Sequence, residues 1–267
     1  FSSGFELNSV TSGIEFSGIQ GSPTIDTGTV RTGTYSGKVT GGAATSFETK
    51  LNSAEVNGPF YIRVYVYLTT FNTSYMDLIF LGNGSGTGMA YISLNHTDNK
   101  LELKNQNDNI GSSSSALSLN TWYCVELYYK NVAGNVSELT GRLDGTAFAT
   151  TTTGTTKGAV QYCRVGNANG STATVMYLDD WAINTGSGTY QNSFPGPGAI
   201  VHLLPDSAGD TSTWTGSYTD IDEVTPDDAT TFLSSNTAGQ IEDVNLAATP
   251  ASILSASTIS VVQLGER

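Results

Sequence analysis

The chain has 267 residues, with 24 acidic side chains against 11 basic ones and a formal charge of −13. Such a chain is repelled by phosphate backbones and by anionic lipid surfaces, so neither nucleic acid nor a membrane is expected as a partner. No stretch is long and apolar enough for a membrane-spanning helix, and the length suits one large β domain with a smaller one, or two modest ones.

Phe1 in place of an initiator methionine reads as a processed or excised chain. Helical periodicity is nearly absent. Period-two alternation predicts strands over residues 13–19, 37–40, 46–51, 60–69, 76–81, 89–94, 100–104, 121–130, 139–143, 146–150, 160–165 and 174–183. Many short strands at this spacing, with turn residues between them, predict an all-β antiparallel sandwich or barrel. Asp144-Gly145 supplies the positive φ angles of a tight hairpin turn. Cys124 and Cys163 both fall in predicted strands. Two cysteines carry no framework pattern, and buried free thiols are the expected state, with a single bridge as the alternative.

The clearest strand is Phe60-Tyr-Ile-Arg-Val-Tyr-Val-Tyr-Leu68. Its apolar residues fall on one face, and Tyr61, Arg63, Tyr65 and Tyr67 on the other. Glu126 and Tyr128 are expected to join that second face from a neighbouring strand. Two uses are open to it. The rings can stack on pyranose rings, with the polar groups fixing orientation. Alternatively they tile the sheet as cross-strand pairs, with Arg63 and Glu126 as an ion pair.

A boundary is predicted at Asn192-Ser-Phe-Pro-Gly-Pro-Gly198, where two prolines and two glycines stop any strand. The expected organisation is a sandwich over 1–190, a linker over 191–198 and a second, smaller β domain over 199–267. That second domain is expected to hold strands near 199–204, 231–234, 241–246 and 258–264, and to be incomplete or completed by a partner chain. The last of these, with Ile259, Val261 and Leu264, is read as an assembly strand offering an edge to a neighbour.

Catalytic patterns are scarce. The glucanase spacing Glu-x-Asp-x-x-Glu is missing, and Asp220-Ile-Asp-Glu223 reads as a solvated loop beside Pro226. His96 and His202 have no readable partner, and neither a phosphate loop nor a zinc cluster is present. No enzyme is expected.

Several segments, taken in order, resemble a known family. Gly4-Phe-Glu-Leu7 and Val30-Arg-Thr-Gly-Thr-Tyr-Ser-Gly-Lys-Val39 look like the opening of carbohydrate-binding jelly-roll modules. Thr121-Trp-Tyr-Cys-Val-Glu-Leu127, Arg142-Leu-Asp-Gly-Thr146 and Tyr177-Leu-Asp-Asp-Trp181 follow as in concanavalin A-like (laminin G-like) sandwiches, with a galactose-binding-like sandwich as the fold alternative. With Gln191-Asn-Ser-Phe-Pro-Gly-Pro-Gly198, Pro205-Asp-Ser-Ala-Gly-Asp210 and Trp214, the whole resembles structural proteins of tailed bacteriophages. The resemblance implies a non-catalytic virion component of the capsid surface or tail, sited on the particle surface. Its implied partners are other virion subunits in a homo-oligomer, with glycan adhesion as a further role. The alternative is a secreted carbohydrate-binding module, with a glucanase-like glycoside hydrolase behind it. No cofactor is required. Calcium is the one metal the resemblance suggests, through Glu6 near the first strand and Asp179 or Asp180 near the last.

Overall fold

A computed structural model describes the chain apart from residues 52–55, 107, 133–135, 156–158, 170–173, 188, 228–229, 251–258, 260–261 and 263–267. The strands, in chain order, are β1 (Ser2–Ser3), β2 (Gly18–Gln20), β3 (Thr24–Asp26), β4 (Ser36–Gly41), β5 (Thr45–Lys50), β6 (Phe60–Thr70), β7 (Met76–Gly82), β8 (Gly88–Leu94) and β9 (Leu101–Asn105). They continue with β10 (Asp108–Ile110), β11 (Trp122–Val132), β12 (Val136–Leu143), β13 (Thr146–Thr155), β14 (Tyr162–Asn167), β15 (Thr174–Thr185), β16 (Pro205–Ser212) and β17 (Glu242–Leu246).

The chain divides into two compact units, Phe1–Phe5 with Ser9–Ile200, and Glu6–Asn8 with Val201–Arg267. The first unit is an antiparallel sandwich. One sheet has eight strands, in the order β13-β12-β11-β6-β15-β4-β3, with β1 added to β15. The other has seven, in the order β10-β9-β8-β7-β14-β5-β2. The alternation read from the sequence explains the core. Ile62, Val64 and Val66 of β6 and Val125, Leu127 and Tyr129 of β11 join one fully covered cluster with Leu81, Ile92, Leu103 and Val165 of the other sheet. Each such side chain contributes about 1.5–3 kcal/mol on burial. Trp181, 0% exposed, stacks with Phe16 at 6.1 Å and meets the edge of Phe1 at 4.8 Å.

The second unit is built differently. β16 and β17 pair as a two-stranded sheet. Asp243 ties it by accepting from the backbone N–H of Asp210 at 3.0 Å and of Thr211 at 2.5 Å. Ser217 caps a short 3-10 turn at Tyr218–Asp220. Thr225 donates to the Leu7 carbonyl at 2.7 Å, which ties Glu6–Asn8 into this unit. None of its described residues is buried, and Trp214 is 40% exposed.

Three predicted strands are corrected, the first being residues 231–234, which form no strand and only an isolated bridge from Ser234 to Thr215. Residues 13–17 form turns around Gly13, at φ +91°, and only Gly18–Gln20 pairs in a sheet. Residues 199–204 form no strand, because Ile200 gives its N–H to a side chain and pairing starts at Pro205. Proline suits that first position, where no ladder donor is needed. Of the expected assembly strand, Val261 and Leu264 lie outside the described residues. Ile259 is in no strand and is 70% exposed.

Candidate functional site

The residues singled out from the sequence do share one surface. Tyr61, Arg63, Tyr65 and Tyr67 of β6 stand on the outer face of the eight-stranded sheet. Register places Glu126 opposite Arg63 and Tyr128 opposite Tyr61. That surface is not open. Residues 194–198 of the expected linker, with Ala199 and Ile200 of the strand expected after it, lie across it. The Arg63 guanidinium donates from Nη1 to the Gly196 carbonyl at 2.9 Å, and Glu126 Oε1 accepts from Gly196 N–H at 3.0 Å. Arg63 and Glu126 thus hold one glycine from both sides. Tyr65 Oη accepts from Gly198 N–H at 3.3 Å, and Arg31 Nη1 donates to the Gly198 carbonyl at 2.8 Å. The Phe194 ring sits 5.3 Å from Tyr61, 6.3 Å from Tyr128 and 3.6 Å from the Arg142 guanidinium carbon. Only Tyr67 lies beyond this segment, beside Trp122 at 5.3 Å and Tyr177 at 6.0 Å.

Asp179 and Asp180 belong to the same surface. A register shift between Asp179 and Ala182 marks a bulge where β15 pairs with β6, and Asp180 adopts φ +49° there. A bulge re-aims a side chain. Asp180 is turned to Arg31, to the Thr32 hydroxyl at 2.9 Å and to Ile200 N–H at 2.5 Å. Asp179 accepts backbone N–H groups from Arg31 at 2.9 Å, Thr32 at 3.2 Å and Asp180 at 2.8 Å. Burial and the neighbouring Asp180 carboxylate push Asp179 up to about 8, against the pull of those three donors. These two carboxylates spend their acceptor capacity on protein donors. Among the described residues there is no group of three or more His, Cys, Asp or Glu side chains suited to a metal ion. Asp179 and Asp180 therefore do not fit the calcium set that the resemblance suggested.

Cys124 and Cys163 are both free and buried, as the commoner reading expected. Cys124 alternates with the inward Val125 of β11 in one sheet, and Cys163 belongs to the inner cluster of the other.

The outer face of the seven-stranded sheet carries a surface that sequence reasoning missed. Register aligns Lys104 with Tyr91, Tyr91 with Phe80, Phe80 with Arg164, and Arg164 with Glu48. The result is one straight row across β9, β8, β7, β14 and β5, about 19 Å long at the usual strand spacing. Phe80 meets Tyr91 at 5.2 Å and Tyr162 at 5.9 Å. The tyrosine rings lie down over glycines. A Cβ on Gly88 would fall 2.0 Å from Tyr91, and one on Gly82 would fall 2.2 Å from Tyr162. Arg164 Nε pairs with Glu48 at 2.8 Å, and its guanidinium lies 4.5 Å over Tyr162.

Two depressions flank this row. One, of about 210 Å³, is lined by Tyr75, Asp77, Tyr91, Lys104, Gln106 and Asn169. The other, of about 480 Å³, lies at Glu48, Lys50, Gln161, Tyr162 and Arg164. In the first, Lys104 Nζ sits 4.1 Å over Tyr75, which is 38% exposed. Burial pushes the Asp77 carboxyl up, against the Ser93 hydroxyl that binds it and the Lys104 charge. Burial likewise pushes the Tyr91 phenol up to about 12, with the Asp77 charge adding to it. The depression brings together the Lys104 ammonium and the rings of Tyr75 and Tyr91. The only hint in the sequence was a polar or aromatic residue at alternate positions of five separate strands.

No family model matches the sequence, and no curated protein sequence matches it. Solved structures share the fold. A cellulose-induced protein, Cip1, superimposes with a TM-score of 0.53 at 18% identity, covering 74% of this chain and 100% of its own. An endo-β-1,4-glucuronan lyase from the fungus Trichoderma reesei superimposes with a TM-score of 0.50 at 17% identity, covering 68% of this chain and 94% of its own. The all-β antiparallel jelly-roll sandwich expected from the sequence is thus the fold of this chain.

The expectation of a non-catalytic virion protein is overturned. The structures sharing the sandwich are named for cellulose induction and for glucuronan cleavage, and nothing in them supports a capsid, a tail, virion subunits or a homo-oligomer. The expectation that the chain is no enzyme falls with it, since a lyase is built on the same fold. The resemblance misled because strand and turn motifs record the sandwich, which unrelated functions share.

Proposed function

We propose that the chain is a polysaccharide-binding sandwich, acting outside the cell, whose glycan lies across the outer face of the seven-stranded sheet. The row Lys104–Tyr91–Phe80–Arg164–Glu48 carries this reading. An extended sugar chain needs a long, shallow, aromatic floor with polar groups at intervals. This row supplies one, with depressions at both ends. The candidate face identified from the sequence supplies less, because residues 194–200 fill most of it. The name of the glucuronan lyase that shares the fold supports the same ligand class. Lys104, Gln106 and Asn169 suit the hydroxyl or carboxylate groups of a uronic acid unit at the first depression.

Affinity electrophoresis through gels containing cellulose derivatives, glucuronan or alginate tests the reading. The chain is expected to be retarded by at least one of them. A Tyr91→Ala, Lys104→Ala variant should migrate at least tenfold less retarded, while Tyr67→Ala on the opposite face should match the parent. Retardation by none of the polysaccharides, or equal retardation of the row variant, would overturn it. Ultraviolet absorbance of unsaturated chain ends in the same incubations reports whether binding leads to cleavage.

A further inference from the structure

We infer that the outer face of the eight-stranded sheet is a sequence-selective peptide-binding groove, and that residues 194–200 are its resident ligand rather than a passive linker. The groove addresses every second residue. Position 194 puts an aromatic ring among Tyr61, Tyr128 and Arg142. Positions 196 and 198 each have their N–H and carbonyl taken by side chains, Glu126 and Arg63 at the first, Tyr65 and Arg31 at the second. Position 200 gives its N–H to Asp180. Asn184 adds a bond from Nδ2 to the Ser193 carbonyl at 2.9 Å.

The groups that do this are costly to bury without a partner. Glu126 and Asp180 are 0% exposed and Arg63 is 5% exposed. Buried charge is tolerated when its hydrogen-bonding capacity is filled. Glu126 is met at Oε1 by the peptide backbone, its Oε2 being buried without a hydrogen bond, and Arg63 divides its donors between Gly196 and the Asp180 carbonyl at 3.1 Å. A spacer needs no such receptor.

The geometry also states which peptides fit. Gly196 has φ +68°, a conformation that favours glycine. A Cβ at position 198 would come 3.0 Å from Arg63 Nη1. The residues between are Pro195 and Pro197, which bring no N–H to satisfy and arrive with φ already set, so less freedom is lost on docking. The ligand class is a peptide of the pattern Phe-Pro-Gly-Pro-Gly with its first glycine in the left-handed region, read mainly through its backbone, as aromatic-lined grooves read proline-rich segments.

The native full chain gives the first test. By hydrogen–deuterium exchange, the amides of Gly196, Gly198 and Ile200 should exchange at least tenfold more slowly than in a free synthetic peptide of residues 191–201. Equal rates would overturn the inference. The second test uses a full-length Phe194→Ala, Gly196→Ala variant, whose own segment is weakened as a ligand. It should bind the synthetic peptide in trans at least tenfold more tightly than the parent, whose groove is filled. Adding Glu126→Ala, which removes the acceptor of the Gly196 N–H, should abolish that binding. A variant with the parent's melting temperature that takes up no peptide, or a parent that binds it equally well, would refute the groove. Should the variant fail to fold, the exchange measurement on the native chain still decides.

Discussion

Substituting Gly88 by alanine asks whether the lie of the Tyr91 ring makes the proposed glycan face. Gly88 has an ordinary strand conformation, so its backbone accepts a side chain. The obstacle is the ring. The new methyl would stand 2.0 Å from Tyr91 Cε1 and 2.4 Å from its hydroxyl oxygen, well inside contact distance. A tyrosine side chain moves more easily than a sheet backbone, so the ring must lift. Lifting breaks the bond from Tyr91 Oη to the Gly88 carbonyl at 3.0 Å and the ring contact with Phe80 at 5.2 Å. A net hydrogen bond contributes about 0.5–1.5 kcal/mol and an aromatic pair a similar amount, giving a loss of about 1–3 kcal/mol. Urea denaturation should show that loss with an unchanged slope. Affinity electrophoresis should show at least a tenfold drop in polysaccharide retardation, because the middle of the row no longer lies flat. Full affinity with lowered stability would refute the role of the Tyr91 ring. Unchanged stability would refute its placement over Gly88.

Three further outcomes are expected. Thiol titration should find no reactive cysteine in the folded chain and two after denaturation, since burial pushes Cys124 up to about 11 and Cys163 higher still. Asp179 holds its proton more tightly when folded, so stability should fall as pH rises from its ordinary value of 3.8 towards about 8. Melting temperatures measured at pH 5 and pH 8 check this, and a higher value at pH 8 would contradict it. Trp181→Ala should cost about 3–5 kcal/mol in urea denaturation, because a fully covered ring stacked on Phe16 leaves a cavity.

The sequence by itself determined the all-β class, most strand positions in the sandwich and the grouping of Tyr61, Arg63, Tyr65, Tyr67, Glu126 and Tyr128. Strict alternation in residues 60–68 fixes which side chains share a face, because a strand has period two whatever it pairs with. It could not say what covers that face. The Phe-Pro-Gly-Pro-Gly run marks a chain that leaves the strand pattern, but its docking depends on Arg31, Arg63, Glu126 and Asp180, which meet only after the sheet forms. The row from Lys104 to Glu48 was hidden for a related reason. Its five members come from five strands spread over more than a hundred residues, and only register, set by core packing and turns, brings them into line. The aspartates of β15 were visible as a pair, yet a bulge decided that they hold the chain's own backbone. Alternation is local and therefore written in the residues. Register, bulges and the path of a loop arise from contacts between distant segments, and tertiary structure alone decided them.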